Sequence, residues 1–315
     1  FRSWSTAATP DGVVDRIEIT RSQGLVGAAA DVARGQSDLV PQAPISAAVL
    51  DRFAPLVHSA PFAMTDYAFL DTRRRPFDHR AARFALGLAL DRRLMARRSG
   101  GPQAATPSCQ VLPVGFPGYR PACRSAIASR AAGAWVTPDV PRARGLVRAS
   151  GTRGTRVVVW AGPHTFAHAT DVRDVLGLLG YRPVVRRFAT DDAYFAALRH
   201  GGRPQVGFSG WIADDPRPES FTRALVSCDA GGRGPAATNW SRFCDRGLDA
   251  AIARAGRRPG APSPSTWTAI ESRIAALAPV IPFDTRRTVA LAARQVGNLV
   301  FSPSGGVLLD RLWVR

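Results

Sequence analysis

The stretch RVVVWAGPHTFAHATDVRDVLGLLGYRPVVRRF, residues 156–188, decides the fold. RVVVW predicts a strand, HATDVRDVLGLLG predicts a helix that ends at Gly180, and PVVRRF predicts the next strand. A helix in DAYFAALRH and a strand in PQVGFSGW continue the alternation, as in an open α/β sheet. Such sheets bind ligands beyond the carboxyl ends of their strands. We therefore expect a ligand site near GWIADDPRPESF, residues 210–221, where the last of these strands ends.

The segment before this alternation predicts a mixture of strands and helices. VVDRIEIT, residues 13–20, alternates like a strand, and residues 26–40 predict a helix closed by Gly35 and then a short strand. Residues 68–95 predict a strand, a turn at Pro76 and one long helix with a single apolar face.

The remaining segments are less regular. Residues 99–137 predict a loop region, and PDVPRARGLVRAS, residues 138–150, predicts a helix stopped by Gly151. The C-terminal part predicts two more helices and then a run of strands and turns, at residues 245–256, 266–278 and 288–314.

The charge of the chain is strongly positive, with a formal value of +18, and all 42 basic residues are arginine. This balance is compatible with a nucleic acid partner. However, the arginines are scattered, and abundant Ala, Gly and Pro indicate a compositional bias. We therefore expect no nucleic acid partner. No uninterrupted apolar stretch is long enough to span a membrane, and the start, FRSWSTAATP, has neither Met nor a leader pattern.

The four cysteines form two pairs that are local in sequence. Cys109 and Cys123 enclose one loop, and Cys228 and Cys244 enclose another, both rich in Gly and Pro. Neither pair has the CxxC spacing typical of zinc sites. Two disulfides are the favoured interpretation, which indicates an oxidising, extracytoplasmic compartment. Of the three possible connectivities we predict Cys109–Cys123 and Cys228–Cys244.

Several motifs in order resemble the peptide-binding class (family 5) of ABC-transporter solute-binding proteins. GWIADDPRPESF resembles the family's G-W-x-x-D-x-x-x-P block, and RRRPFDHRAARFALGLALDRRLM is similar to its P-F-D-x-x-x-R-x-A-L-x-x-A-x-D-R block. Further matches are the Leu-Pro and Pro-Gly-Tyr turn at 112–119, NWSRFCDRGLDAAIARA, and AAL-AP-VIPFDTRR near the end. Each motif is weak by itself, but their order and spacing hold from about residue 12 onward. The arginine-rich style and paired cysteines resemble actinobacterial members.

The resemblance implies a two-lobed, periplasmic-binding-protein-like (type II) α/β fold. It implies that residues 1–75 form a partial first lobe and hinge, 76–283 a largely complete C-terminal lobe, and 284–315 return strands to the first lobe. It also implies that the chain begins well inside the family's sequence, so that an N-terminal part of the first lobe is missing.

The resemblance also implies a ligand site at the end of the last strand. In the family, the Asp three residues after the Trp binds the ligand's ammonium group, and here that residue is Asp214. Trp211 would form an apolar wall, while the backbone through Ile212 and Ala213 would pair with the ligand as an added strand. Asn239 and Trp240 match positions that often face the family's cleft.

Structural alternatives remain open for each of these residues. Asp214 or Asp215 is equally a residue type that caps a turn before proline, and Asp215 is the better candidate for that role. Trp211 suits a core position as well as a ligand wall, and structural roles suit Asn239 and Trp240. In the helix block, Arg83 and Asp91 are expected to be scaffold residues that form an ion pair or a cap.

Two departures from the family pattern affect the ligand rather than the fold. Phe208 stands three residues before the Trp, where some oligopeptide binders carry Arg, and Asp71 replaces the usual Asn. A nickel chelate, a sugar or another solute therefore stays open as the ligand. His164 and His168 have a helical metal-binding spacing, but they lack a third ligand or an HExxH motif. We expect no metal, no cofactor and no catalytic residue.

The resemblance thus implies an extracytoplasmic protein that is not an enzyme, secreted or held by a lipid anchor, and monomeric. It would capture short peptides and deliver them to ABC-permease subunits. The alternative is a sensory domain of the same fold within a multidomain regulatory protein, with ligand binding used for signalling or lost. A hydrolase is disfavoured because no nucleophile motif such as GxSxG occurs.

Overall fold

The computed structural model describes residues 14–21, 24–42, 47–120, 138–231, 237–257, 263–303 and 305–315. The chain forms two compact units. Of the described residues, unit 1 comprises those within 1–62, 99–105 and 286–315, and unit 2 comprises those within 63–98 and 106–285. The lobes expected from the sequence, at residues 1–75, 76–283 and 284–315, stay a prediction.

Ten α-helices and eleven strands lie within the described residues. The helices are α1 Leu25–Ala33, α2 Ala47–Arg52, α3 Arg80–Ala89, α4 Arg92–Arg98, α5 Val140–Ala149, α6 Phe166–Leu178, α7 Asp191–Arg199, α8 Pro218–Val226, α9 Arg246–Gly256 and α10 Pro264–Leu277. The strands are β1 Leu39–Val40, β2 Val57–Leu70, β3 Ala105–Pro107, β4 Arg156–Ala161, β5 Arg182–Arg187, β6 Val206–Ile212, β7 Val280–Ala292, β8 Val296–Gly297, β9 Phe301–Ser302, β10 Gly306–Val307 and β11 Trp313–Val314.

Unit 2 is built on a mixed sheet with the strand order β7-β2-β6-β4-β5. β4 pairs in parallel with β5 and with β6, whereas β6 pairs antiparallel with β2. Unit 2 has two core clusters, one on each side of β4. Val157 and Val159 pack with α3, α5 and α6 in the first core cluster, and Trp160 packs with α7–α10 in the second core cluster. Burial on both faces explains why RVVVW is almost wholly apolar.

Unit 1 has a small core of its own. Ala29 of α1, Leu50 of α2, and Val289 and Leu291 of β7 are buried together with Ala104. Leu39 and Val40 of β1 pair antiparallel with Ala292 and Leu291. The chain turns after α1 at Gly35, whose φ of 71° lies in the left-handed region that glycine adopts most readily.

Two sequence-based elements are corrected. Val13 lies outside the described residues, and residues 14–20 form no strand. Ile17 and Ile19 are exposed by 52% and 87%, so this segment does not bury the apolar side chains on which the strand prediction rested. The single long helix over 77–95 is two helices. Leu90 is extended with ψ of 123°, and Asp91 Oδ1 then accepts a hydrogen bond from Leu94 N at 3.0 Å, which starts α4.

Other segments show elements that periodicity did not indicate. The structure adds α8, α2, the first half of β2 and the three-residue strand β3. Among the described residues, no helix combines the length and the apolar character needed to cross a bilayer.

Candidate functional site

The candidate site lies where β6 ends. Residues 206–212 of β6 pair antiparallel with β2, so that Trp211 lies opposite Thr65 and Ile212 opposite Met64. Ala213 N continues the ladder with a 2.8 Å hydrogen bond to Ala63 O. One edge of this strand end is therefore fully used by β2.

On its other edge, β6 pairs with a described strand only at its beginning. The β4–β6 ladder pairs Val159 with Val206. Two residues later the hydroxyl of Tyr194 on α7 donates to Phe208 O and accepts from Phe208 N, both at 2.8 Å. This hydroxyl takes the place of a neighbouring strand at Phe208. Beyond it, no described strand of unit 2 other than β2 pairs with residues 209–212.

Trp211 combines core packing with an unused donor. Its ring is partly buried and packs against the second cluster of unit 2. The indole Nε1 is buried, yet it has no hydrogen-bond partner among the described residues. An unmet buried donor is costly, so Trp211 is a core residue with one polar atom that has no partner among the described residues. Its role as a wall of a ligand site stays a prediction.

Ile212 and Ala213 differ in exposure. Ile212 is 48% exposed, whereas Ala213 is buried. At the neighbouring Gly210, a Cβ would meet the ends of the Met64 and Asp66 side chains, which would have to move.

The two adjacent carboxylates have different environments. Asp215 accepts hydrogen bonds from Arg217 N and Nη2, both at 2.8 Å, and from Ser220 Oγ at 2.9 Å. The bond from the Arg217 side chain is the main reason that the pKa of Asp215 falls to about 2. This confirms Asp215 as the residue that caps the turn. Asp214 is exposed, and no hydrogen bond or ion pair with another described residue uses its carboxylate.

Asn239 is buried in the loop between Cys228 and Cys244. Its Nδ2 donates to Ser227 O and Phe243 O, both at 2.9 Å, and its Oδ1 accepts from Ser241 Oγ at 2.6 Å. These contacts hold the loop together, so the structure gives Asn239 a structural role.

Trp240 lies with Asn239 at the other end of the strands. It lines a shallow cavity in unit 2 together with Phe69, Asp71 and Arg242. Asp71 directly follows β2. It is six residues from Thr65, the partner of Trp211, and six residues of a strand span roughly 20 Å. The structure therefore brings Trp211, Ile212, Ala213 and Asp214 together but places Asn239 and Trp240 elsewhere.

One of the predicted disulfides lies within the described residues. Cys228 and Cys244 are bonded, with an S–S distance of 2.06 Å, as predicted. Cys123 lies outside the described residues, so the Cys109–Cys123 bond stays a prediction.

The scaffold residues Arg83 and Asp91 act separately. Asp91 caps α4, as described above. Arg83 is buried and forms no ion pair with a described carboxylate. It donates to Leu277 O at 2.8 and 3.0 Å and to Phe77 O at 2.8 Å. Burial lowers the pKa of its guanidinium to about 10.

The two spaced histidines do not form a metal site together. His164 is exposed and contacts Asp191, whereas His168 is buried on α6, with Nε2 3.3 Å from Met95 O and its ring stacked on Phe283. Among the described residues, no three His, Cys, Asp or Glu side chains cluster in a way that would hold a metal ion.

Comparison with known proteins gives structural likeness without sequence likeness. No family model matches the sequence, and no curated protein sequence matches it. Among solved structures, an oligopeptide binding protein of clavulanic acid biosynthesis has a TM-score of 0.85 at 20% identity over 99% of this chain and 59% of its own. A dipeptide binding protein from Pseudoalteromonas sp. SM9913 in complex with Met-Leu has a TM-score of 0.70 at 19% identity, over 93% of this chain and 57% of its own. This chain has the fold of these binding proteins.

A third structure with this fold is the ABC transporter-associated periplasmic binding protein DppA from Helicobacter pylori, solved with the peptide STSA. Its TM-score is 0.71 at 16% identity, over 93% of this chain and 56% of its own. The chain thus spans somewhat more than half the length of these relatives. The predicted α/β, periplasmic-binding-protein-like fold is confirmed, and the sensory alternative finds no support in these comparisons.

Tyr194 and Arg242 were not identified as important from the sequence. DAYFAALRH indicates a helix in which a buried Tyr needs a hydrogen-bond partner, but that partner is the backbone of another element. Arg242 is adjacent to the recognised Trp240, yet its carboxylate partner is 171 residues away.

Proposed function

We propose that this chain belongs to an extracytoplasmic solute-binding protein that captures short peptides and delivers them to an ABC permease. The observation that carries the proposal is the end of β6. Among the described residues, a strand edge without a neighbouring strand, an indole donor without a partner and a carboxylate without a partner lie within four consecutive residues there.

The chemistry of a peptide matches each of these groups. Its backbone can pair with residues 209–213 as an added strand, independently of its side chains. Its ammonium group needs a carboxylate, since burying an isolated charge is very costly. Asp214 supplies that carboxylate, and Trp211 supplies an apolar wall and the Nε1 donor.

The domain assignment and location are part of the same proposal. Residues 1–75 would belong to a partial first lobe and hinge, residues 76–283 to the C-terminal lobe, and residues 284–315 to return strands of the first lobe. The Cys228–Cys244 disulfide favours an oxidising compartment, and the H. pylori relative is described as periplasmic. The protein would act as a monomer, secreted or lipid-anchored, and bind its ligand without a cofactor and without changing it.

The test is peptide binding by the protein that carries this chain. Native mass spectrometry with a pool of di- to pentapeptides, free or N-acetylated, reports whether the amine is recognised. We expect free-amine peptides to bind and acetylated ones to be rejected. Asp214→Asn should weaken binding by more than about 1.5 kcal/mol, the loss typical of a hydrogen bond to a charged group.

Asp192→Asn is the matched control, because Asp192 is also exposed but lies at the start of α7. Its peptide affinity should equal that of the unmodified protein. Equal binding of free and acetylated peptides, or an unchanged affinity in Asp214→Asn, would remove the site assignment. Binding of neither pool would point to another class of solute.

A further inference from the structure

The edge of the unit 2 sheet carries a basic face on β4 and β5. The two strands pair in parallel with Arg156 beside Arg182 and Trp160 beside Arg186. Laterally paired residues project to the same side of a sheet, and so do residues two apart. Arg156, Arg182, Val184 and Arg186 therefore share one face, which we call the basic face, and all four are exposed.

The opposite side of the same strands is covered. Val157 and Val159 of β4 are fully buried in the first core cluster, and Val185 of β5 packs against that cluster. The same side as the basic face also carries Trp160, which packs in the second core cluster, so the basic face is the solvent-exposed part of this side next to that core. β5 ends the strand order, so the face reaches the margin of the sheet.

One guanidinium of the face is held in place by aromatic rings. Arg186 Cζ lies 4.7 Å from the ring centroid of Trp160 and 4.7 Å from that of Phe188. Stacking of this kind fixes the plane of a guanidinium while its N–H groups point outward within that plane. Arg186 is therefore positioned to bind an oxyanion with little loss of side-chain entropy.

The charges of the face have no ion-pair partners among the described residues. Other surface arginines form ion pairs, such as Arg217 with Asp215 and Arg273 with Asp245. No described carboxylate forms an ion pair with Arg156, Arg182 or Arg186.

Charged residues on an edge strand also serve to block pairing with other chains. That role explains Arg182 and Arg186 on β5 but not Arg156, because Arg156 lies on the inner strand β4. It also does not explain Val184, which is 41% exposed between the two β5 arginines.

We propose that the basic face binds the surface of an anionic phospholipid bilayer. Guanidinium groups match phosphate geometrically and electrostatically. The exposed Val184 between them suits the boundary between headgroups and acyl chains, where apolar and basic side chains act together. The net charge of +18 adds longer-range attraction to a negative surface. This proposal is independent of the peptide site, which lies at the end of β6.

The experiment is cosedimentation of the folded chain with vesicles of phosphatidylcholine, with or without phosphatidylglycerol, at low and high salt. We expect binding to the anionic vesicles at low salt, loss at high salt, and none to the neutral vesicles. Arg182→Gln/Arg186→Gln should lower the partition coefficient about 30-fold, given roughly fivefold per basic residue near an anionic surface.

The matched control is Arg246→Gln/Arg254→Gln on α9. It removes the same charge from two exposed residues that are not on the basic face. It should bind anionic vesicles nearly as well as the unmodified chain, and circular dichroism establishes that both variants fold. Equal losses in both variants would show that net charge alone acts, which overturns the proposal. Equal binding to neutral vesicles, or binding to immobilised heparin but to no vesicle, would also overturn it.

Discussion

Asp71 and Arg242 form an ion pair across 171 residues of sequence. Arg242 Nε lies 3.0 Å from Asp71 Oδ1, and Arg242 Nη2 contacts both carboxylate oxygens. The carboxylate side chain is 2% exposed and the guanidinium 17%. The pair joins the end of β2 to the loop that closes at Cys244, and Thr72 N reinforces it with a 3.0 Å bond to Ser241 O.

Breaking this pair from one side should destabilise the fold strongly. Arg242→Gln leaves the buried Asp71 carboxylate without its charged partner, and we expect a loss of about 3–5 kcal/mol in the free energy of unfolding. Urea unfolding measures it. Arg217→Gln is the control, because the Arg217–Asp215 pair is more exposed and should contribute no more than about 1 kcal/mol. Similar losses in the two variants would contradict a buried role for the Asp71–Arg242 pair.

The Asp71–Arg242 pair illustrates the limit of sequence-based prediction: local elements are visible in the sequence, but contacts between distant residues are not. Short apolar runs predict β4, β5 and β6, and helical spacing of apolar residues predicts the helices between them, because these patterns are visible within each element. Asp71 was noticed only as a departure from a family pattern, since its partner is 171 residues away. Trp211 and Asp214 were identified by their motif, whereas the separation of Asn239 and Trp240 from them depends on how the disulfide loop folds back to β2.

The Cys228–Cys244 disulfide should stabilise the fold because the cross-link restricts the unfolded chain. Cys228→Ser/Cys244→Ser removes a cross-link between residues 16 apart, which the chain-entropy model values at about 3 kcal/mol. We expect that loss in urea unfolding under non-reducing conditions. A loss below about 1 kcal/mol would show that Asn239 and its hydrogen bonds hold the loop without the cross-link.

Glu271 should make stability depend on pH near neutrality. It is buried on α10 and accepts hydrogen bonds from Leu112 N at 2.8 Å and Val111 N at 3.1 Å. Burial raises its pKa from 4.5 to about 7. Because the folded pKa exceeds the unfolded one, this contribution is complete below about pH 4.5 and is lost as pH rises through about 7.

The size of this effect is bounded by the pKa shift. The shift corresponds to at most about 3 kcal/mol between pH 4.5 and 8. Glu271→Gln cannot titrate, so its unfolding free energy should fall less over this range. Comparing the two proteins at each pH cancels the contributions of all groups that they share. Identical pH slopes would show that Glu271 titrates normally in the folded state.

Tyr194 should stabilise the strand that carries the proposed peptide site. Its hydroxyl serves both backbone groups of Phe208, which is fully buried. Tyr194→Phe leaves a buried N–H and a buried C=O unpaired, and we expect a loss of about 2–4 kcal/mol in unfolding free energy. Tyr181→Phe is the control: the Tyr181 hydroxyl bonds only to Thr152 Oγ1 among the described residues, so its loss should be smaller.

If Phe208 fixes the course of β6 toward Trp211, Tyr194→Phe should also weaken peptide binding at temperatures where it remains folded, whereas Tyr181→Phe should not. Loss of stability with unchanged peptide affinity would separate the hydroxyl's structural role from the site.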